Sequence, residues 1–116
     1  MKFFRNERVG SLFEKQLAII ILKEVEIHGA LITLTKVDVD KKLERAEAHV
    51  SVIPSERGEE VMKELNRMRG RLEHTLFLKI NIKPMPVISF RLDHGPEKAA
   101  AIEKALLEDN NSSDHS

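Results

Sequence analysis

The chain has 116 residues, no cysteine, 41% apolar and 33% charged residues, and nineteen basic side chains against nineteen acidic ones. A length of this order supports one domain with a modest core, and the missing cysteines exclude disulfides, thiolate nucleophiles and thiolate zinc sites. Because the charges cancel, any affinity for a polyanion has to come from local segregation of charge rather than from the molecule as a whole.

Asn6 can cap a first helix in which Val9, Leu12, Phe13, Gln16, Leu17 and Ile20 share one face, with Gly29 as its stop. The longest apolar run, Leu17 to Leu22, is far short of the roughly 18 residues needed to cross a bilayer, and no signal-peptide cleavage pattern is present. A soluble cytoplasmic protein is therefore expected. Leu31 to Val39 is rich in threonine and β-branched residues, and Ala46 to Ile53 alternates Ala46, Ala48, Val50 and Val52 against Glu47, His49 and Ser51. These read as two strands of an antiparallel hairpin, joined by the charged turn Asp40 to Glu44.

Ser55 can cap a helix whose apolar stripe is Val61, Leu65, Met68, Leu72 and Leu76. The stripe passes through Gly70, and glycine costs about 1 kcal/mol in a helix interior, so a kink or break is expected there, giving two consecutive helices. Pro84 and Pro86 end this region; Val87 to Leu92 alternates again as a third strand. Pro96 then opens an alanine-rich helix ending near Leu107, followed by a polar tail. The expected organisation is one α+β domain over residues 1–108 with a disordered tail at 109–116.

Charge is distributed unevenly along this order. Between positions 67 and 83, Arg67, Arg69, Arg71, Lys79 and Lys83 face only Glu73, whereas five acids from Glu97 onward outnumber Lys98 and Lys104. On a helical wheel Lys63, Arg67, Arg71 and His74 occupy a sector away from the apolar stripe. A charged helical face is usually no more than solvated surface. Here, however, several arginines surround a helix-interrupting glycine; the guanidinium fork matches phosphate, and a helix end offers N–H donors. The candidate RNA-binding residues are Lys63, Arg67, Arg69, Gly70, Arg71, His74, Lys79 and Lys83. Only five phenylalanines are present, with no tyrosine or tryptophan, which disfavours a base-stacking platform.

Helix, strand, strand, helix, helix, strand is the order of the type II KH module. The module's usual Gly-x-x-Gly is absent, and Met68-Arg69-Gly70 stands in its place. In this variation, in Arg8-Val9, Val37-Asp38-Val39, Leu43-x-x-Ala46, Val50-Ser51-Val52, Leu65-Asn66-x-x-x-Gly70 and Pro86-x-Ile88-x-Phe90-x-x-Asp93, the chain resembles the ribosome-binding factor A family. Four positions depart from the family pattern: Lys42 replaces the usual aspartate, Glu47 a frequent lysine, Met68 a small residue and Glu73 a common arginine. A monomer is expected, and the resemblance implies binding to the small (30S) ribosomal subunit and its 16S rRNA during late maturation, rRNA processing and cold adaptation. It implies no cofactor, membrane or small-molecule substrate.

Catalytic parts are missing. There is no phosphate-binding Gly-x-x-x-x-Gly-Lys loop and no serine elbow, and His28, His49, His74, His94 and His115 lack the i, i+4 pairing and the neighbouring acids of a metal site. Asp38 with Asp40, or Asp93 with His94, could suggest acid–base chemistry, but Asp93 is better read as the end of a strand. The competing reading is an adaptor that holds a protein partner by a sheet edge or the C-terminal helix. A small-molecule-binding regulator is a weaker third.

Overall fold

The computed structural model describes residues 5–94 and 106–107. Its elements are α1 (Arg5–Glu24), β1 (Leu31–Val39), β2 (Arg45–Ile53), a 3-10 turn (Ser55–Arg57), α2 (Gly58–Arg67), α3 (Arg69–Ile80) and β3 (Val87–Leu92). The expected C-terminal helix and polar tail lie outside the described residues, except for Leu106 and Leu107, which are helical and exposed.

The sheet has the order β1-β2-β3. β1 and β2 form the antiparallel hairpin expected from their alternation, and β2 pairs in parallel with β3 through the α2–α3 crossover. Helices cover one face: α1 lies against β1 and α3, and α2 against β2 and β3. Ala46, Ala48, Val50, Val52 and Ile88 point into this layer, where they meet Phe13, Leu17, Val61, Leu65, Leu72 and Leu76, all buried. The alternate strand positions, including Lys36, Asp38, Glu47, His49 and Arg91, line the opposite face, away from α1, α2 and α3. This inside-out alternation is what a two-layer α+β domain requires of its strands.

Local chemistry fixes the turns. Asp40 Oδ1 accepts the N–H groups of Glu44 (2.7 Å) and Arg45 (3.0 Å), while Leu43 takes a left-handed φ of 59° and tucks its side chain into the core. These two backbone bonds hold the Asp40 carboxyl below the ordinary aspartate range, that from Arg45 being the stronger influence.

Three expectations need correction. Asn6 does not cap α1; its side-chain amide donates to Val39 O (3.2 Å), tying the helix to the end of β1. α1 ends at Glu24 rather than near Gly29: Val25 N–H closes the last helical bond, on Ile21 O (2.9 Å), and Gly29, at φ 80°, belongs to the following turn. Ser55 opens a 3-10 turn and not the helix itself, with α2 beginning three residues later at Gly58.

Candidate nucleic-acid interface

The stripe Val61, Leu65, Met68, Leu72 and Leu76 is buried along both α2 and α3, so the opposite sides of both helices face outward. The interruption falls at Met68 (φ −89°, ψ 0°), not at Gly70. Met68 is only 7% exposed and keeps its place in the buried stripe, whereas a methyl group added at Gly70 would meet nothing within 4 Å. The helical ladder runs to Met68 N–H on Glu64 O (3.0 Å) and resumes with Leu72 N–H on Met68 O (2.9 Å). The amides of Arg69, Gly70 and Arg71 are thus the first-turn donors of α3.

The two helices begin in opposite ways. α2 carries Glu59 and Glu60 in its first turn, as the positive end of a helix dipole favours. α3 has no acidic residue in its first turn and no side-chain cap; it starts Arg69-Gly70-Arg71. Positive side chains at the positive end of a dipole repel it, and an anion placed there relieves both charges.

All eight candidate residues are exposed. Lys63, Arg67 and Arg71 follow at intervals of four, and Gly70 and His74 share the adjoining row, so helical geometry gathers them on the outer side with Arg69 at the break. Lys79 and Lys83 stand apart. Lys79 is ten residues beyond Arg69, about 15 Å along the axis, and lies on the Leu72 side of α3, exposed by its place in the last turn. Lys83 follows in the loop.

The cations differ in their neighbours. Arg67, with 71% of its side chain exposed, donates Nε–H to Glu64 Oε2 (3.1 Å) and Nη2–H to Glu64 Oε1. This pair raises the Arg67 pKa and lowers that of Glu64. Arg71, 67% exposed, lies 3.7 Å from Glu24 Oε1 across to α1. Among the described residues Lys63 and Arg69 have no ion-pair partner within 4 Å. Arg57 is not part of the ridge: it binds Glu60 through Nε and Nη2 (2.8 Å each) and donates to His28 O (2.8 Å), closing α2 onto the end of the α1 loop.

Two of the departing residues, Glu73 and Glu47, make contacts away from the ridge. Glu73 Oε2 accepts Ile88 N–H (2.8 Å), joining α3 to β3. Glu47 lies on the open face of the sheet, where its Oε1 is 3.1 Å from His49 Nε2 and 3.6 Å from Arg91 Nη1. The sequence missed this grouping: His49 does have acidic neighbours, Glu47 and Asp38, the latter at 3.2 Å. Asp38, Glu47 and His49 are the one metal-competent trio among the described residues. Lys36, 3.4 Å from Asp38, and Arg91 already balance the two carboxylates. Cross-strand register made this trio, and register is not visible along a single strand.

A family model described as ribosome-binding factor A matches residues 5–106. The chain belongs to the ribosome-binding factor A family. A ribosome-binding factor A from Christiangramia forsetii is 36% identical over 107 residues, covering 88% of this chain and 82% of that one. The crystal structure of ribosome-binding factor A from Thermus thermophilus superposes with a TM-score of 0.62 at 20% identity, covering 75% of this chain and 94% of that one. A Thermus ribosome-binding factor A model fitted into the cryo-EM map of a 30S complex gives 0.63 at 20% identity, covering 72% and 90%. These neighbours share the KH-like α+β fold of ribosome-binding factor A with this chain. Among the described residues no helix is long and apolar enough to cross a membrane.

Proposed function

We propose that this protein binds the small ribosomal subunit through its 16S rRNA and assists late maturation and rRNA processing without catalysing a reaction, acting as a cytoplasmic monomer. Its RNA-binding domain spans residues 1–108, and the residues after it are a polar tail. Lys63, Arg67, Arg69, Gly70, Arg71 and His74 form the contact surface, and Lys79 and Lys83 extend it toward the far end of α3. The observation that carries this reading is the start of α3: two exposed arginines flank a glycine with open space around it, at a helix end with no acid and no cap. Phosphate supplies the negative charge that this end lacks, and Gly70 lets a sugar–phosphate backbone come close. The relative captured in a 30S complex supports the choice of polyanion.

The test is filter binding of protein-free small-subunit rRNA, with free small subunits in parallel, over a range of salt. For single strands, log affinity should fall against log salt with a slope of about 0.7 per phosphate contacted. Arg67→Ala, Arg69→Ala and Arg71→Ala together should weaken binding and flatten the slope. A folded triple variant that binds like wild type refutes the assignment. Sedimentation that follows a protein partner and is insensitive to RNase supports the adaptor reading instead.

A further inference from the structure

Among the described residues Arg67 is the one ridge arginine whose fork is engaged at two points. Its Nε and Nη2 both bind the Glu64 carboxylate, presenting to Glu64 the same pair of parallel donors that a phosphate would take. Resting on the phosphate-binding reading above, we propose that Glu64 is an internal competitor for the phosphate at Arg67, holding the affinity of the ridge below what its cations alone would give.

Three observations support this. First, Glu64 and Arg67 are exposed enough to exchange, with side chains 31% and 71% accessible. An exposed i, i+3 pair contributes little to helix stability, so a phosphate can displace it. Second, the displaced carboxylate stays within one helical turn of the bound phosphate and repels it. Arg67 therefore contributes less than a full cation to binding. Third, the remaining cations are graded around it: Lys63 and Arg69 lack ion-pair partners among the described residues, while Arg71 has a single, longer contact of 3.7 Å with Glu24. The same ridge thus contains cations available at once and one that RNA has to win from a carboxylate. A surface built in this way releases its RNA more readily than its count of arginines suggests.

The experiment is a double-mutant cycle, read by filter binding on protein-free small-subunit rRNA at fixed salt. Glu64→Gln should bind about two- to fivefold more tightly than wild type, the range expected for removing one exposed competing charge. Glu64→Ala should shift affinity in the same direction. Arg67→Ala should bind more weakly, and adding Glu64→Gln to it should give no further gain. Unchanged or weaker binding by both Glu64 variants overturns the proposal, because Glu64 would then position Arg67 rather than compete for it. An equal gain with and without Arg67 also overturns it, by showing a general charge effect. The broader phosphate-binding reading is judged separately by the triple arginine variant, whose wild-type affinity would defeat that reading whatever Glu64→Gln does.

Discussion

Thr35 and Asp93, 58 residues apart in the chain, meet at 2.9 Å between Oγ1 and Oδ2. Thr35 is the extra residue of a bulge in β1, where the pairing shifts between Leu34 and Lys36. Its hydroxyl also lies 3.1 Å from His49 O, so its one proton has two acceptors within reach. Asp93 donates its own N–H to Val50 O (2.6 Å), so it reaches across β2 and joins the two edge strands. Thr35→Val keeps the shape and removes the hydroxyl. It should destabilise the fold by about 1–2 kcal/mol in urea unfolding; a midpoint equal to wild type would mean that the bulge needs no such tie.

Two glycines should respond in opposite ways to alanine. At Gly10 an added Cβ would lie 3.0 Å from the backbone oxygen of Val37, so α1 has to move off β1. Gly10→Ala should cost up to about 2 kcal/mol of stability in chemical denaturation, an overpacking cost of about 1–3 kcal/mol being offset by about 1 kcal/mol of helix propensity. At Gly70 the space is open, and Gly70→Ala should leave stability unchanged or raise it by up to about 1 kcal/mol. Its effect should appear in RNA affinity, which falls if the nucleic-acid backbone approaches there.

Glu73 occupies a position where an arginine would add charge to the helix, yet its carboxylate accepts the N–H of buried Ile88. Glu73→Arg should therefore lose about 1–3 kcal/mol of stability by leaving that amide unpaired. Amide hydrogen exchange at Ile88 is the direct readout, and protection equal to wild type in Glu73→Ala would sink the idea.

The Asp40 turn makes stability depend on pH. Its carboxyl titrates lower in the folded protein than the usual 3.8, because Arg45 and Glu44 amides bind the ionised form. The contribution is complete above the unfolded pKa and is lost as pH falls through the lower folded value. Asp40→Asn should be less stable than wild type at neutral pH, and the gap should narrow on acidification below about pH 4. A gap constant from pH 7 to 2 would show that the carboxylate does not hold the turn.

The order of elements was legible from local pattern. Alternation in Ala46 to Ile53 and Val87 to Leu92 and the four-three-four-four spacing of Val61 to Leu76 each reflect burial of one face, and burial sets periodicity within a few neighbouring residues. The exposed arginines could also be found this way, since a side opposite an apolar stripe is a consequence of helix geometry alone. What tertiary structure decided is where separate elements meet. It put the helix break at Met68 instead of at Gly70, and turned Glu73 toward β3. It gathered Asp38, Glu47 and His49 through strand register, and brought Thr35 to Asp93. Each of these depends on distance between residues far apart in the chain, and periodicity along one segment carries no information about that distance.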